Sequence, residues 1–322
     1  MSKQKKRKPS ITQSIVIEAN KIIDRKHTHK VTNKYYKANV KRFIKFAREQ
    51  YDCKSLAACK NHLQDYCDWL IKSEDFTAST IHGYMAACVT LYDDVTLGDI
   101  RNRPIRHTAE YIRGRKELYS PPVSRDLNDP KWEPIVSMQR CICARRRELK
   151  NIRGKDLIEI DGQYYVYIRK SKGGRDQRQI IMPEDVEYVK SYFKGKAPDE
   201  KIFSDEMFNN QLNFHKLRAE GAKKYYFYIL DKIKNEPGFR ERLIEDLTKK
   251  WNTYNLDPKT QKPKLLDPKI FEGNHVLRGR CRKLAEEKGI DARINRLAAA
   301  ACSFDRLAHW RISVTIYSYL LA

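Results

Sequence analysis

Residues 134–154 read PIVSMQRCICARRRELKNIRG. Pro134 suits the first turn of a helix and Gly154 its C-terminal end. Between them Ile135, Met138, Ile142, Leu149 and Ile152 recur at helical steps, which predicts one amphipathic helix over the stretch. One position of the apolar stripe is charged, and it is Arg145. An unpaired guanidinium on a buried face is costly. Either an internal carboxylate meets it, with Glu148 one turn on, or an anion from outside does. Arg146 and Arg147 fall off the stripe and are expected in solvent or against phosphate.

Downstream come three runs with strand chemistry: Leu157 to Ile160, Tyr164 to Ile168 after the Asp161-Gly162 turn, and Arg178 to Met182 after Ser171-Lys172-Gly173-Gly174. They predict a three-stranded antiparallel meander. The remainder is expected to be mostly helical, including a Lys- and Tyr-rich region from 206 to 266. Upstream, residues 11–100 alternate helical periodicity with short polar breaks. Tyr36, Val40, Phe43 and Ala47 follow a candidate cap at Thr32, Leu63, Tyr66, Cys67 and Leu70 form a second stripe, and Ile81, Tyr84, Cys88 and Leu91 a third after Thr80. Residues 101–130 hold Pro104, Pro121, Pro122 and Pro130 among arginines, a basic linker by composition. The organisation expected is a basic tail at 1–10, an all-α domain at 11–100, the linker, and a mainly α domain with a small antiparallel sheet at 131–322.

With 65 Lys and Arg against 41 Asp and Glu, the 322-residue chain carries a formal charge of +24, spread along its length. That points to a polyanion. No stretch approaches the roughly 20 apolar residues of a membrane span, so nucleic acid is preferred over a membrane, and a cytoplasmic, nucleoid-associated protein is expected. Lys3, Lys5, Lys6, Arg7 and Lys8 fit a solubilising tail as well as a DNA-contacting arm. The eight cysteines show no paired C-x-x-C spacing. They read as reduced, mostly buried thiols, with no structural metal expected.

Several short elements then line up. Arg145-Arg146-Arg147-Glu148-Leu149 resembles the R-x-x-E-L element of tyrosine recombinases (phage integrases), and Lys172 sits where that family has its turn lysine. His275-Val276-Leu277-Arg278 is similar to the family's H-x-L-R, and Leu307-Ala308-His309 to its L-G-H. The resemblance covers residues 130 to 320 through these elements. The N-terminal half shares only the architecture, a helical SAM-like DNA-binding domain. Cys143-Ala144 stands where the family has T-G, and the interval from Arg278 to His309 is longer than usual.

The resemblance implies a set of roles. Arg145 and Arg278 would stabilise charge on the nonbridging phosphate oxygens by forked hydrogen bonds. Lys172 would protonate the departing 5′ oxygen, and His275 would handle the tyrosine proton or orient the phosphate. His309, or Trp310 in its place, would complete the set. The family spacing of nine from His309 falls on Ser318, between Tyr317 and Tyr319. Counted from Trp310 it falls on Tyr319, which is followed by Leu320 as in the family's Y-L ending. Tyr319 is therefore the expected nucleophile, with Tyr317 the alternative.

The reading reached is a site-specific recombinase that cuts and rejoins double-stranded DNA through a 3′-phosphotyrosine, for integration or excision of a mobile element. A phosphotyrosine preserves the energy of the broken bond, so no cofactor is expected, and no phosphate-binding loop motif is present. The resemblance also implies two domains gripping DNA, a homo-tetramer on two DNA sites, and accessory DNA-bending or directionality factors. Two other readings stay open: a type IB topoisomerase-like relaxing enzyme, and a catalytically inactive DNA-binding regulator.

Overall fold

The structure, a computed structural model, describes residues 10–106, 126–169, 171, 176–254, 260, 262 and 265–321. The chain divides into two compact units, Met1–Gly114 and Arg115–Ala322. Most of the basic tail, residues 107–125 of the linker region, and Lys172 lie outside the described residues.

The first unit is all helix: α1 (Ile11–Lys26), α2 (Lys30–Tyr51), α3 (Leu56–Lys60), α4 (Leu63–Lys72) and α5 (Ala78–Val89). Short polar residues start them. Ser10 and Gln13 cap α1 reciprocally, Ser55 caps α3, and Thr77 caps α5, three residues ahead of the expected Thr80. Each apolar stripe turns inward. Val40, Phe43, Ile44 and Ala47 of α2 meet Tyr66, Cys67 and Leu70 of α4 and Ile81, Met85 and Cys88 of α5 in one core. The opposite face of α2 exposes Lys30, Lys34, Lys41 and Lys45, within one 60° arc at helical spacing of ~100° per residue.

The second unit begins with α6 (Glu133–Ile142), and here the single helix expected over 134–154 is corrected. Cys143 adopts φ 51°, the left-handed region, and ends α6. Arg145 then stands extended at the head of a separate short helix, α7 (Arg146–Leu149). The periodicity was read through the break because both segments bury apolar residues on the same core. The Gln139 side-chain amide bridges the corner by donating to the Ala144 carbonyl.

The meander forms as expected, with β1 (Leu157–Ile160), β2 (Gln163–Ile168) and β3 (Gln177–Ile180) antiparallel in that order. After α8 (Val186–Phe193), the Lys- and Tyr-rich region becomes two helices, α9 (Phe214–Asn235) and α10 (Phe239–Tyr254). A second sheet was not expected: β4 (Asn274–Val276) pairs antiparallel with β5 (Arg293–Asn295) across α11 (Gly279–Glu287). The chain then runs through α12 (Arg296–Ala301), a π-helical turn at Cys302–Arg306, α13 (Ile312–Thr315) and a second π-turn at Ile316–Leu320. Fully buried Arg306 ties these parts together by donating to the Ile180 and Arg140 carbonyls. The fold is thus helix-rich with small antiparallel sheets.

Among the described residues no helix is long and apolar enough to cross a membrane.

Candidate active site

Arg145 receives the internal carboxylate. Its Nη1 donates to Glu148 Oε1 at 2.5 Å and to Ser171 Oγ at 2.9 Å, while its backbone N–H donates to Glu148 Oε2 at 2.7 Å. Ser171 Oγ in turn donates to Glu148 Oε1. Burial opposes the charge on Glu148, but Arg145 and Ser171 more than offset it and hold the carboxyl below its ordinary range. Ion pairing does not use up the guanidinium. The Arg145 side chain keeps 28% of its surface exposed against 7% for Glu148, so it is oriented by one anion and still open to another. Arg146 is engaged elsewhere, on the Phe208 and Asn210 carbonyls.

His275 projects from β4, and its Nε2 lies 2.8 Å from Tyr317 Oη, with the two rings edge to face. Burial, aided by the nearby Arg296 charge, holds His275 below its ordinary pKa of 6.5. Burial likewise raises the Tyr317 phenol. Arg278 caps α11 from an exposed position. Its side chain makes no hydrogen bond within the described residues.

His309 is enclosed. Its Nδ1 accepts from the Arg311 backbone N–H and lies 3.3 Å from Ser303 Oγ, with Nε2 at 3.5 Å from Thr315 Oγ1. Burial first, then the charges of Arg218, Arg311 and Arg145, push its pKa down to about 3. Tyr319 stacks on His309 at 5.4 Å, is 4.9 Å from the His215 ring, and is itself buried. Trp310 turns the other way, at φ 58°, and packs on Phe304 and Trp251.

Two groups of expected residues result: Arg145, His309 and Tyr319 around one buried centre, and His275 with Tyr317. Two further members were missed in the sequence. His215 and Arg218 both come from α9, where His215 Nε2 meets the Ser318 carbonyl at 3.1 Å and the Arg218 guanidinium lies 5.5 Å above the Tyr319 ring. A lone arginine and a lone histidine in a Lys- and Tyr-rich helix carry no spacing that marks them.

Comparison with known proteins gives a match over part of the chain. Residues 18–101 match the family described as phage integrase, N-terminal SAM-like domain. That stretch of the first unit is therefore similar to the N-terminal domain of phage integrases.

Among solved structures, the chain is similar to a XerH site-specific recombinase bound to difH substrate in a pre-cleavage complex. The TM-score is 0.36 at 14% identity, over 63% of this chain and 72% of that one. It is also similar to a XerH recombinase bound to palindromic difH substrate in a post-cleavage complex, with TM-score 0.39 at 10% identity over 96% and 93%. For a XerA recombinase the TM-score is 0.23 at 16% identity over 66% and 84%. These are weak likenesses and carry no argument. No curated protein matches the chain.

Proposed function

We propose that this chain is a site-specific DNA recombinase that cuts and rejoins double-stranded DNA through a 3′-phosphotyrosine, with Tyr317 as nucleophile, in the integration or excision of a mobile element. The observation that carries this is the 2.8 Å contact between His275 Nε2 and Tyr317 Oη. Proton transfer needs an acceptor within hydrogen-bond reach, and a histidine held below its ordinary pKa is neutral and able to accept at neutral pH. Tyr319 has its ring enclosed by His215, His309 and Arg218, which favours Tyr317 for the attack and Tyr319 for anchoring.

In this reading Tyr317 Oη attacks phosphorus as its proton passes to His275. The phosphorus–tyrosine bond forms, the bond to the 5′ oxygen breaks, and that oxygen takes a proton from Lys172. Arg145 and Arg278 stabilise the charge that develops on the nonbridging oxygens, a contribution of about 100- to 1000-fold for a single well-placed donor. Religation reverses these steps. Arg145, with its carboxylate already seated on one edge, meets phosphate in a fixed orientation. The same family reading carries assembly as a homo-tetramer on two DNA sites with accessory factors, and the exposed lysine face of α2 suits a DNA backbone.

Covalent capture tests it. Full-length protein is incubated with nicked duplexes from its genomic context, denatured in detergent, and its DNA-linked peptide identified by mass spectrometry. An adduct on Tyr317 is expected. Tight binding with no adduct would instead establish the DNA-binding regulator, and relaxation of plasmid without any particular site would establish the topoisomerase-like enzyme.

A further inference from the structure

The mechanism above gives Arg218 no task, yet its placement is costly. It is 3% exposed on α9, its Nε is buried without a hydrogen-bond partner, and no carboxylate pairs with it among the described residues. A buried cation that meets its nearest carboxylate charge, Glu148, only at a distance is disfavoured, and a leucine or methionine would fill the space without that cost. What the guanidinium does touch is informative. Its Nη2 donates to the Leu307 carbonyl, two residues before His309, and its plane lies over the ring of Tyr319, two residues after Tyr317.

We propose that Arg218 is a positioning residue for DNA cleavage: by holding the Leu307 carbonyl and covering Tyr319 it fixes, from one point, the segment that presents His309 and the segment that presents Tyr317. The inference rests on the phosphotyrosine reading. The groups facing His309 make its state specific. Arg218, Arg145 and Arg311 surround it with positive charge, Ser303 and Thr315 offer only hydroxyls, and its Nδ1 accepts from the Arg311 N–H. His309 is therefore held neutral with its proton on Nε2, a fixed donor rather than a titrating one.

The test uses full-length Arg218→Met, Arg218→Lys and Arg218→Ala in single-turnover adduct formation on nicked DNA, with affinity measured separately. Arg218→Met is expected to lose about 100-fold in adduct rate, the order associated with misplacement of reacting groups, at unchanged DNA affinity. Arg218→Lys should retain part of the rate. Methylguanidinium in the buffer should restore part of the rate of Arg218→Ala. The protonation of the His309 ring, followed by NMR, should also move to higher pH in Arg218→Met, as His309 loses one of the charges that suppress it. A purely structural role predicts no rescue and an unmoved His309 protonation, and that result overturns the inference.

Wild-type protein gives a test that no folding defect can spoil. The His309 ring resonances should remain those of the neutral Nε2–H tautomer well below pH 6.5, and titration near that value would overturn the proposal. An adduct in wild type with an unaffected Arg218→Met removes this inference alone. No adduct in wild type removes the phosphotyrosine reading and this inference with it.

Discussion

At the scale of single residues the two C-terminal tyrosines differ in their surroundings. Tyr317 has a proton acceptor on its hydroxyl, whereas Tyr319 has three side chains around its ring. Tyr317→Phe should therefore abolish the adduct while leaving DNA affinity intact, and Tyr319→Phe should retain an adduct at reduced rate, both read on denaturing gels. In the proposed reaction His275 sets the pH dependence of adduct formation. Its proton-accepting form persists below its ordinary pKa because burial, with Arg296, opposes the imidazolium. The adduct rate should hold level as pH falls past 6.5 and decline only at lower pH. Arg296→Gln should shift that decline upward, since removing a cation raises the histidine's pKa. His309 links pH to stability instead. Its folded pKa of about 3 lies below the ordinary 6.5, so its contribution is complete above 6.5 and drains away as pH falls from 6.5 toward 3. Thermal melts across that window should show the loss, with a shallower slope in His309→Gln.

At the scale of elements, the site depends on how closely α9 approaches the corner between α6 and α7. Gly221 makes the approach possible. A Cβ there would stand 2.3 Å from the Arg140 carbonyl oxygen and 2.5 Å from Cys143 Sγ. Gly221→Ala must push α9 away, and with it His215 and Arg218. Overpacking of this kind costs about 1–3 kcal/mol, to be read by urea unfolding, and adduct formation should fall further than stability alone explains. The Arg145-to-Leu149 motif was legible at this level, and so was Glu148 as the partner of Arg145. The break at Cys143 was not. A left-handed residue inside a continuous apolar pattern leaves no mark when both flanking segments face one core.

At the scale of the whole molecule, the formal charge of +24 and the lysine face of α2 predict binding dominated by phosphate. Affinity for duplex DNA should fall steeply with salt, with a logarithmic slope of about 0.9 per phosphate neutralised. Lys34→Ala and Lys41→Ala should each weaken binding evenly across sequences and reduce that slope by about one. Fluorescence anisotropy titrations at several salt concentrations check both, and a flat response would count against a phosphate-dominated interface.

Periodicity and composition determined the helical N-terminal unit, the three-stranded meander, the basic character and Arg145 as a candidate, while His275 and His309 came from the resemblance of their short motifs to those of tyrosine recombinases. All of these follow from local chemistry: caps, alternation, turn residues and motif order survive without knowledge of distant contacts. Tertiary structure alone decided what meets what. His275 and Tyr317 are 42 residues apart and Arg218 and Leu307 are 89 apart, so no local spacing can announce either contact. The second sheet, β4 with β5, is of the same kind: two three-residue strands are too short to show alternation, and they exist because the chain returns around α11 to pair them. Which tyrosine faces the histidine is likewise decided by the path of the final π-turn, where Tyr317 and Tyr319, two positions apart, meet His275 of β4 and His215 of α9 respectively.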